Sequence, residues 1–220
     1  MDSDWYMLVA STAVVIFVSF VVQRYFANTS KASRQFDDER TRREEDIMRL
    51  QEVLEPNSIA RQLWSLLPGR VTLAQDAVAM KEYRDTYWAG QCRDVFPACV
   101  VHPQNTKELS LAVKILKSEY ESRRAEGDAG GYLFAIRSGG HSPNDSHIGG
   151  GAIVDMRAFN AIQLSEDNAH VTIGSGARWG NVVEYLEKYD LAVVGGRDED
   201  VGVGGLTLGG KMLNCVNTYG

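Results

Sequence analysis

Tyr132-Leu133-Phe134-Ala135-Ile136 runs directly into Arg137-Ser138-Gly139-Gly140-His141-Ser142. An apolar strand thus feeds a glycine turn that carries a histidine. Glycines let backbone N–H groups converge with no Cβ in the way, and a concave set of such donors suits an anion such as a pyrophosphate. Arg137 adds charge to that set, and Ser138 and Ser142 add hydroxyl donors. A neutral imidazole placed there, that of His141, is a nucleophile beside the nest. A surface turn with a stray histidine is the plainer reading of the same six residues.

A second glycine cluster follows: Val201-Gly202-Val203-Gly204-Gly205-Leu206-Thr207-Leu208-Gly209-Gly210. Thr207 stands where the dinucleotide fingerprint G-x-G-x-x-G needs its third glycine, and no long helical pattern follows, so a Rossmann reading fails. Of the 21 glycines, 19 lie from Gly127 onward. That skew points to a half of the molecule in which backbone approaches a ligand closely; tight hairpins of an all-β region are the alternative.

Four further ordered segments accompany the two clusters: Phe96-Pro97-Ala98-Cys99-Val100-Val101-His102-Pro103, Gly151-Ala152-Ile153-Val154-Asp155-Met156, Gly174-Ser175-Gly176-Ala177-Arg178-Trp179-Gly180, and Val193-Val194-Gly195-Gly196-Arg197, with Phe134 to Ser142 and Val201 to Gly210 completing the set. Together they resemble the FAD-linked oxidases of the vanillyl-alcohol oxidase / p-cresol methylhydroxylase (PCMH) superfamily, in its berberine-bridge-enzyme-like branch. The resemblance covers residues 95–220, a little over half the chain. It implies an α+β PCMH-type FAD-binding domain, incomplete because such proteins continue into a substrate lobe. FAD is the implied cofactor, with Arg137, Ser138, Gly139, Gly140 and Ser142 around its pyrophosphate and His141 bonded to the flavin. Gly202, Gly204, Gly205 and Gly209 would let backbone approach the cofactor. Some family members add a cysteine link four residues before the first glycine of the later cluster; that position is Asp198 here, so the resemblance implies one link at most. Lys211 departs from a third glycine. The implied activity is oxidation of a small organic substrate, alcohol-type or from secondary metabolism, with oxygen as acceptor. The base and substrate pocket belong to the missing part, so no catalytic residue is assigned. The early stop leaves a non-catalytic, membrane-anchored or partner-binding remnant as the other expectation.

Local patterns point to α+β without the family. Asn105 with Glu108 three residues on reads as a helix start, with Leu109, Ala112, Val113, Leu116 and Tyr120 facing inward. Ala152–Val154 reads as a strand. Ile162/Leu164 and Val171/Ile173 alternate about a turn at Ser165-Glu166-Asp167-Asn168. Gly180-Asn181 opens a short helix with Val182, Val183, Leu186 and Tyr189 on one face, and Leu191–Val194 reads as a strand.

Residues 5–23 contain no charged side chain, about the roughly 18 to 25 residues a bilayer span requires. The acidic start and the lack of a small-residue cleavage site favour a transmembrane helix and a single-pass membrane protein over a secreted one with a cleaved signal. Arg24, Lys31 and Arg34 would keep the bulk of the chain cytosolic. Residues 24–94 read as a charged helical connector and extension, with i,i+4 pairs such as Asp38/Arg42 and a narrow apolar stripe of Ile47, Leu50, Val53 and Leu54.

The net charge of −6 over 220 residues gives no electrostatic reason to expect nucleic acid. Cys92, Cys99 and Cys215 do not make a disulfide framework; free buried thiols fit them better than a Cys92–Cys99 pair. His102, His147 and His170 lack metal-ligand spacing and read as turn or surface residues, so neither a metal nor a nucleic-acid partner is expected.

Overall fold

The computed structural model describes residues 57–127, 133–143 and 146–209, with isolated positions between 30 and 45. The chain divides into two units, Met1–Arg49 and Leu50–Gly220; the second carries everything below.

A four-stranded sheet organises this unit. Its strands are β1 (Val71–Leu73), β2 (Cys99–Val101), β3 (Phe134–Arg137) and β4 (Ala152–Asp155), in the order β1-β2-β4-β3. β1 is antiparallel to β2, whereas β2, β4 and β3 are parallel. Helices cover both faces, which is why β2 and β4 read as unbroken apolar runs. On one face α1 (Ser58–Leu66) and α4 (Thr106–Ala125) bury Leu63, Ala112 and Leu116 against Cys99, Val101, Ala152 and Val154. On the other, α2 (Ala77–Asp85) and the short α3 (Gly90–Arg93) bury Met80, Tyr83, Tyr87 and Cys92 against Val100 and Ile153. The segment that the sequence assigns to an extension therefore supplies α1, β1, α2 and α3 to the same core.

Side chains cap α1, α2 and α4 at their starts. Asn57 accepts from the Ala60 N–H at 2.8 Å, and Asn105 accepts from Lys107 and Glu108 at the head of α4, satisfying otherwise unpaired donors. Only Ala112, Ile115 and Leu116 of α4 are fully buried. Val113 and Tyr120, expected to face inward, are exposed.

A second layer follows. The hairpin β5 (Ile162–Leu164) and β6 (Val171–Ile173) packs with α5 (Trp179–Glu187) and α6 (Val203–Gly209). Asn168, in the hairpin turn, takes a left-handed φ of 57°, a conformation asparagine tolerates. Leu191–Val194 forms no strand; Gly195 and Gly196 after it lie against the Trp179 indole rather than extending a ladder. The later glycine cluster, for which tight hairpins were the alternative expectation, winds into the short α6 from Val203 onward.

No helix among the described residues is long and apolar enough to cross a membrane. The longest, α4, has 20 residues but is broken by Lys107, Glu108, Lys114, Lys117, Glu119 and Glu121, whereas a span requires about 20 predominantly apolar ones. The transmembrane helix expected over residues 5–23 lies outside the described residues. The fold with a membrane-spanning helix, the single-pass localisation and the membrane partnership read from it are corrected accordingly. The connector stripe of Ile47 to Leu54, Lys211 and Cys215 also lie outside the described residues. Cys92 and Cys99 are buried free thiols, and burial pushes the Cys99 thiol up to about 12.

Candidate functional site

β3 ends at the carboxyl edge of the parallel strands, where open α/β sheets commonly bind ligands. The loop Ser138–Ser142 leaves from that end. The α5–α6 layer closes on it from the other side, and the two glycine clusters meet there. A Cβ placed on Gly139 would lie 2.8 Å from the Cα of Gly202, and one on Gly202 would lie 2.8 Å from the Cα of Gly139. Real Cβ atoms do not approach so closely, so the contact requires two residues without side chains.

Three polar links fasten the join. The Ser138 hydroxyl donates to the Ser175 carbonyl at 2.6 Å. Arg178 Nη1 donates to the Asp200 carbonyl at 2.6 Å and to Asp200 Oδ1 at 2.9 Å, and Arg178 Nη2 donates to the Gly139 carbonyl at 3.3 Å. Arg178 and Gly202 also form an antiparallel bridge. An open cleft of about 610 Å³ is edged by Arg178, Asn181, Glu184, Arg197, Glu199 and Asp200.

His141 stands at the rim, half-buried. The Trp88 ring lies 5.1 Å from the imidazole, tilted by 31°, and the Trp88 indole N–H donates to the His141 carbonyl at 2.8 Å. His141 Nε2 lies 3.5 Å from Asp198 Oδ2. Ser142 is half-buried beside it, its carbonyl accepting from the Ser146 hydroxyl at 2.7 Å.

Arg137 has a different position from that expected of a pyrophosphate donor. It is completely buried, with its guanidinium 3.8 Å over the Tyr87 ring and 4.7 Å over Tyr83. Its Nη2 donates to the Thr86 carbonyl at 3.2 Å, while Nε and Nη1 have no hydrogen-bond partner. A Cβ on Gly140 would lie 2.7 Å from Arg137 Nε, so the guanidinium is the floor beneath the loop. Gly140 also takes φ +72°, the left-handed region that favours glycine. Burial, and secondarily the neighbouring Tyr87, holds the Tyr83 hydroxyl well above its ordinary range; burial raises that of Tyr87 as well. Both rings are therefore neutral faces for the cation.

The structure brings Ser138, Gly139, Gly140, His141 and Gly202 into one place. Gly204 packs on the Ser175 backbone, and Gly205 opens to solvent with nothing within 4 Å of a Cβ placed there. Gly209, at the exposed end of α6, is the most remote along the helix. Trp88, Arg178 and Asp198 belong to the site, yet the sequence gives Trp88 and Arg178 no role and marks Asp198 only as the position where a cysteine link is absent: Trp88 precedes the motif region, and Arg178 lies in a segment quoted for its glycines.

Among the described residues no group of His, Cys, Asp and Glu is placed to hold a metal. A dinucleotide fits better. Two side-chain-free segments meet, Gly205 is open, and an imidazole sits at the edge.

Residues 97–220 match the FAD binding domain family, and the chain belongs to it. It is 40% identical over 139 residues to an FAD-dependent monooxygenase of Aspergillus niger, covering 62% of this chain and 22% of that protein. To an FAD-dependent monooxygenase of Cochliobolus heterostrophus it is 38% identical over 136 residues, covering 61% and 24%. The chain thus spans about a quarter of the length of the curated relatives it matches. Among solved structures, the glucooligosaccharide oxidase of Acremonium strictum, which carries a 6-S-cysteinyl, 8α-N1-histidyl FAD, aligns with TM-score 0.53 at 23% identity over 70% of this chain and 30% of that one. A berberine-bridge-enzyme-like protein of Physcomitrella patens aligns with TM-score 0.51 at 20% identity over 68% and 30%. The fold is that of the PCMH-type FAD-binding domain, and FAD is its cofactor.

Proposed function

We propose that this chain supplies the flavin-holding part of an enzyme that oxidises a small organic molecule, at an alcohol or amine-like carbon, with dioxygen as acceptor. Fungal relatives named FAD-dependent monooxygenases support a substrate drawn from secondary metabolism. The observation that carries the reading is the backbone contact of Gly139 with Gly202, with His141 at its edge.

Each residue then has a task. The backbone of Gly139, Gly140, His141 and Ser142 faces the pyrophosphate, and Ser138 locks the loop to Ser175. Arg137 supports the loop from below and adds positive potential without touching solvent. Gly202, Gly204 and Gly205 keep side chains away from the cofactor, and Gly209 ends the helix that carries the last two. His141 tethers the flavin covalently, and Trp88 holds the imidazole in place. Bound FAD supplies the redox chemistry, while the protein sets its position and surroundings.

The test is direct. The expressed chain should show flavin absorbance and a fluorescent band after denaturing electrophoresis. His141→Ala should remove the band and leave noncovalent FAD. A chain with no flavin absorbance after supplementation with FAD would end the reading.

A further inference from the structure

Asp198 is aimed at His141 by its own neighbours. Its Oδ1 accepts from the Asp200 N–H at 2.9 Å, and its carbonyl accepts from the Val201 N–H at 3.3 Å. That leaves Oδ2 facing the imidazole, 3.5 Å from Nε2. On the other side, the ring lies against Trp88 and its carbonyl is bonded to the indole N–H. The imidazole is thus gripped by one aromatic face, and one edge is turned to a carboxylate.

A carboxylate only accepts hydrogen bonds, and a neutral imidazole carries one ring proton. The nitrogen that faces the carboxylate therefore carries the proton, and the lone pair falls to the other. We infer that Asp198 is a positioning residue that fixes His141 as its Nε2–H tautomer and turns Nδ1, with its lone pair, toward the cofactor. The long separation suits a site without its ligand, because such contacts tighten when the complex forms.

The inference rests on the tether proposed above and says which atom makes it. Attachment forms an Nδ1–C bond and breaks one C–H bond of the flavin's ring methyl. The hydrogen leaves as a proton, its electron pair passes to the flavin, and dioxygen takes that pair. The imidazole left behind is cationic with its remaining proton on Nε2. Asp198, facing Nε2, opposes that charge, so the same carboxylate that selects the nitrogen also stabilises the product.

Two measurements test this. The full chain is labelled with 15N-histidine, and ring nitrogens are read at mildly alkaline pH; His141→Ala assigns the signal among the four histidines. His141 should appear as the Nε2–H form in the wild type and shift toward the Nδ1–H form in Asp198→Ala. Because Asp198 is more than half exposed, that variant should fold. The second measurement is the covalently bound fraction of flavin. Asp198→Ala should lower its rate of formation about tenfold or more, as misplacing a histidine proton does elsewhere, with noncovalent FAD retained. Asp198→Asn keeps an oxygen acceptor but not the charge and should fall between. A wild-type Nδ1–H form, or a tautomer unchanged in Asp198→Ala, overturns the inference. Equal covalent yield in wild type and Asp198→Ala also overturns it, while leaving the tether standing. An Asp198-dependent tautomer in a chain with no covalent flavin upholds the positioning role and rejects the tether instead.

Discussion

Gly139 and Gly202 touch through their backbones, where the loop after β3 meets the segment leading into α6. Any side chain on either would have to push the other strand of backbone away, and backbone is the least yielding neighbour. Gly139→Ala or Gly202→Ala should each cost about 1–3 kcal/mol of stability by overpacking. Each should also reduce bound flavin, because the two walls of the cradle separate. Thermal unfolding with and without added FAD, and flavin absorbance per mole of protein, check both effects. Gly205→Ala serves as the contrast: it meets nothing within 4 Å and should leave the unliganded stability within about 0.5 kcal/mol, as open surface positions do.

Trp88 acts on His141 twice, by ring contact and by the indole N–H on the histidine carbonyl. Trp88→Phe keeps a ring and loses the hydrogen bond, a loss of about 1 kcal/mol. Trp88→Ala loses both. Covalent flavin yield should therefore fall in the order wild type, Phe, Ala, while secondary structure by circular dichroism stays unchanged, since the side chain is largely exposed. Equal yields in all three would remove Trp88 from the site.

Arg137 separates two uses of a positive charge. A guanidinium that grips the pyrophosphate would, when replaced by Met, lower FAD affinity and leave stability alone. A guanidinium sealed between Tyr83 and Tyr87 should do the reverse. Desolvated cation–π contacts are worth about 2 kcal/mol, so Arg137→Met should lose stability on that order, with a smaller change in FAD affinity at temperatures where both proteins are folded. Arg137→Lys should not restore the wild-type value, because an ammonium lacks the flat face that stacks on the Tyr87 ring. Denaturant midpoints alongside FAD titration decide between the two uses.

These residues also show how far the sequence was readable. The loop Ser138–Ser142 was legible because glycine and an apolar run mark a strand-to-turn junction locally. The strand Ala152–Val154 and the hairpin about Asn168 were legible for the same reason. The burial of Arg137 was not legible because its environment is not local: alternation along β3 sets it on the same face as its register partner Asp155, and α2, which covers that face, left no sequence signal that placed Tyr83 or Tyr87 there. Val113 and Tyr120 were misassigned because helical spacing gives a stripe but not its phase; α1 decides which stripe of α4 is buried. The His141–Asp198 pairing joins two loops distant in sequence and has no periodic signature at all.

Asp155 carries the chain's clearest pH dependence. Burial alone would raise its carboxyl, but hydrogen bonding to His102 and the paired guanidinium of Arg157 outweigh burial and hold it at about 2. Arg157 reaches it through Nε at 2.8 Å and Nη2 at 2.6 Å, and His102, held on its other edge by Thr72 at 3.1 Å, lies 3.4 Å away. In the unfolded chain this carboxyl titrates near about 3.9. The unfolded state therefore takes up the proton first as pH falls, so the stabilisation is complete above about pH 5 and is lost on the way down to about pH 2. Its size is roughly 2 kcal/mol. Asp155→Asn should be less stable than wild type at neutral pH, and the gap should narrow steadily on acidification. Denaturant midpoints for the two proteins between about pH 6 and pH 3 measure it. Parallel curves across that range would mean that the carboxylate does not depend on Arg157 and His102 for its charge, and that the end of β4 is held by packing alone.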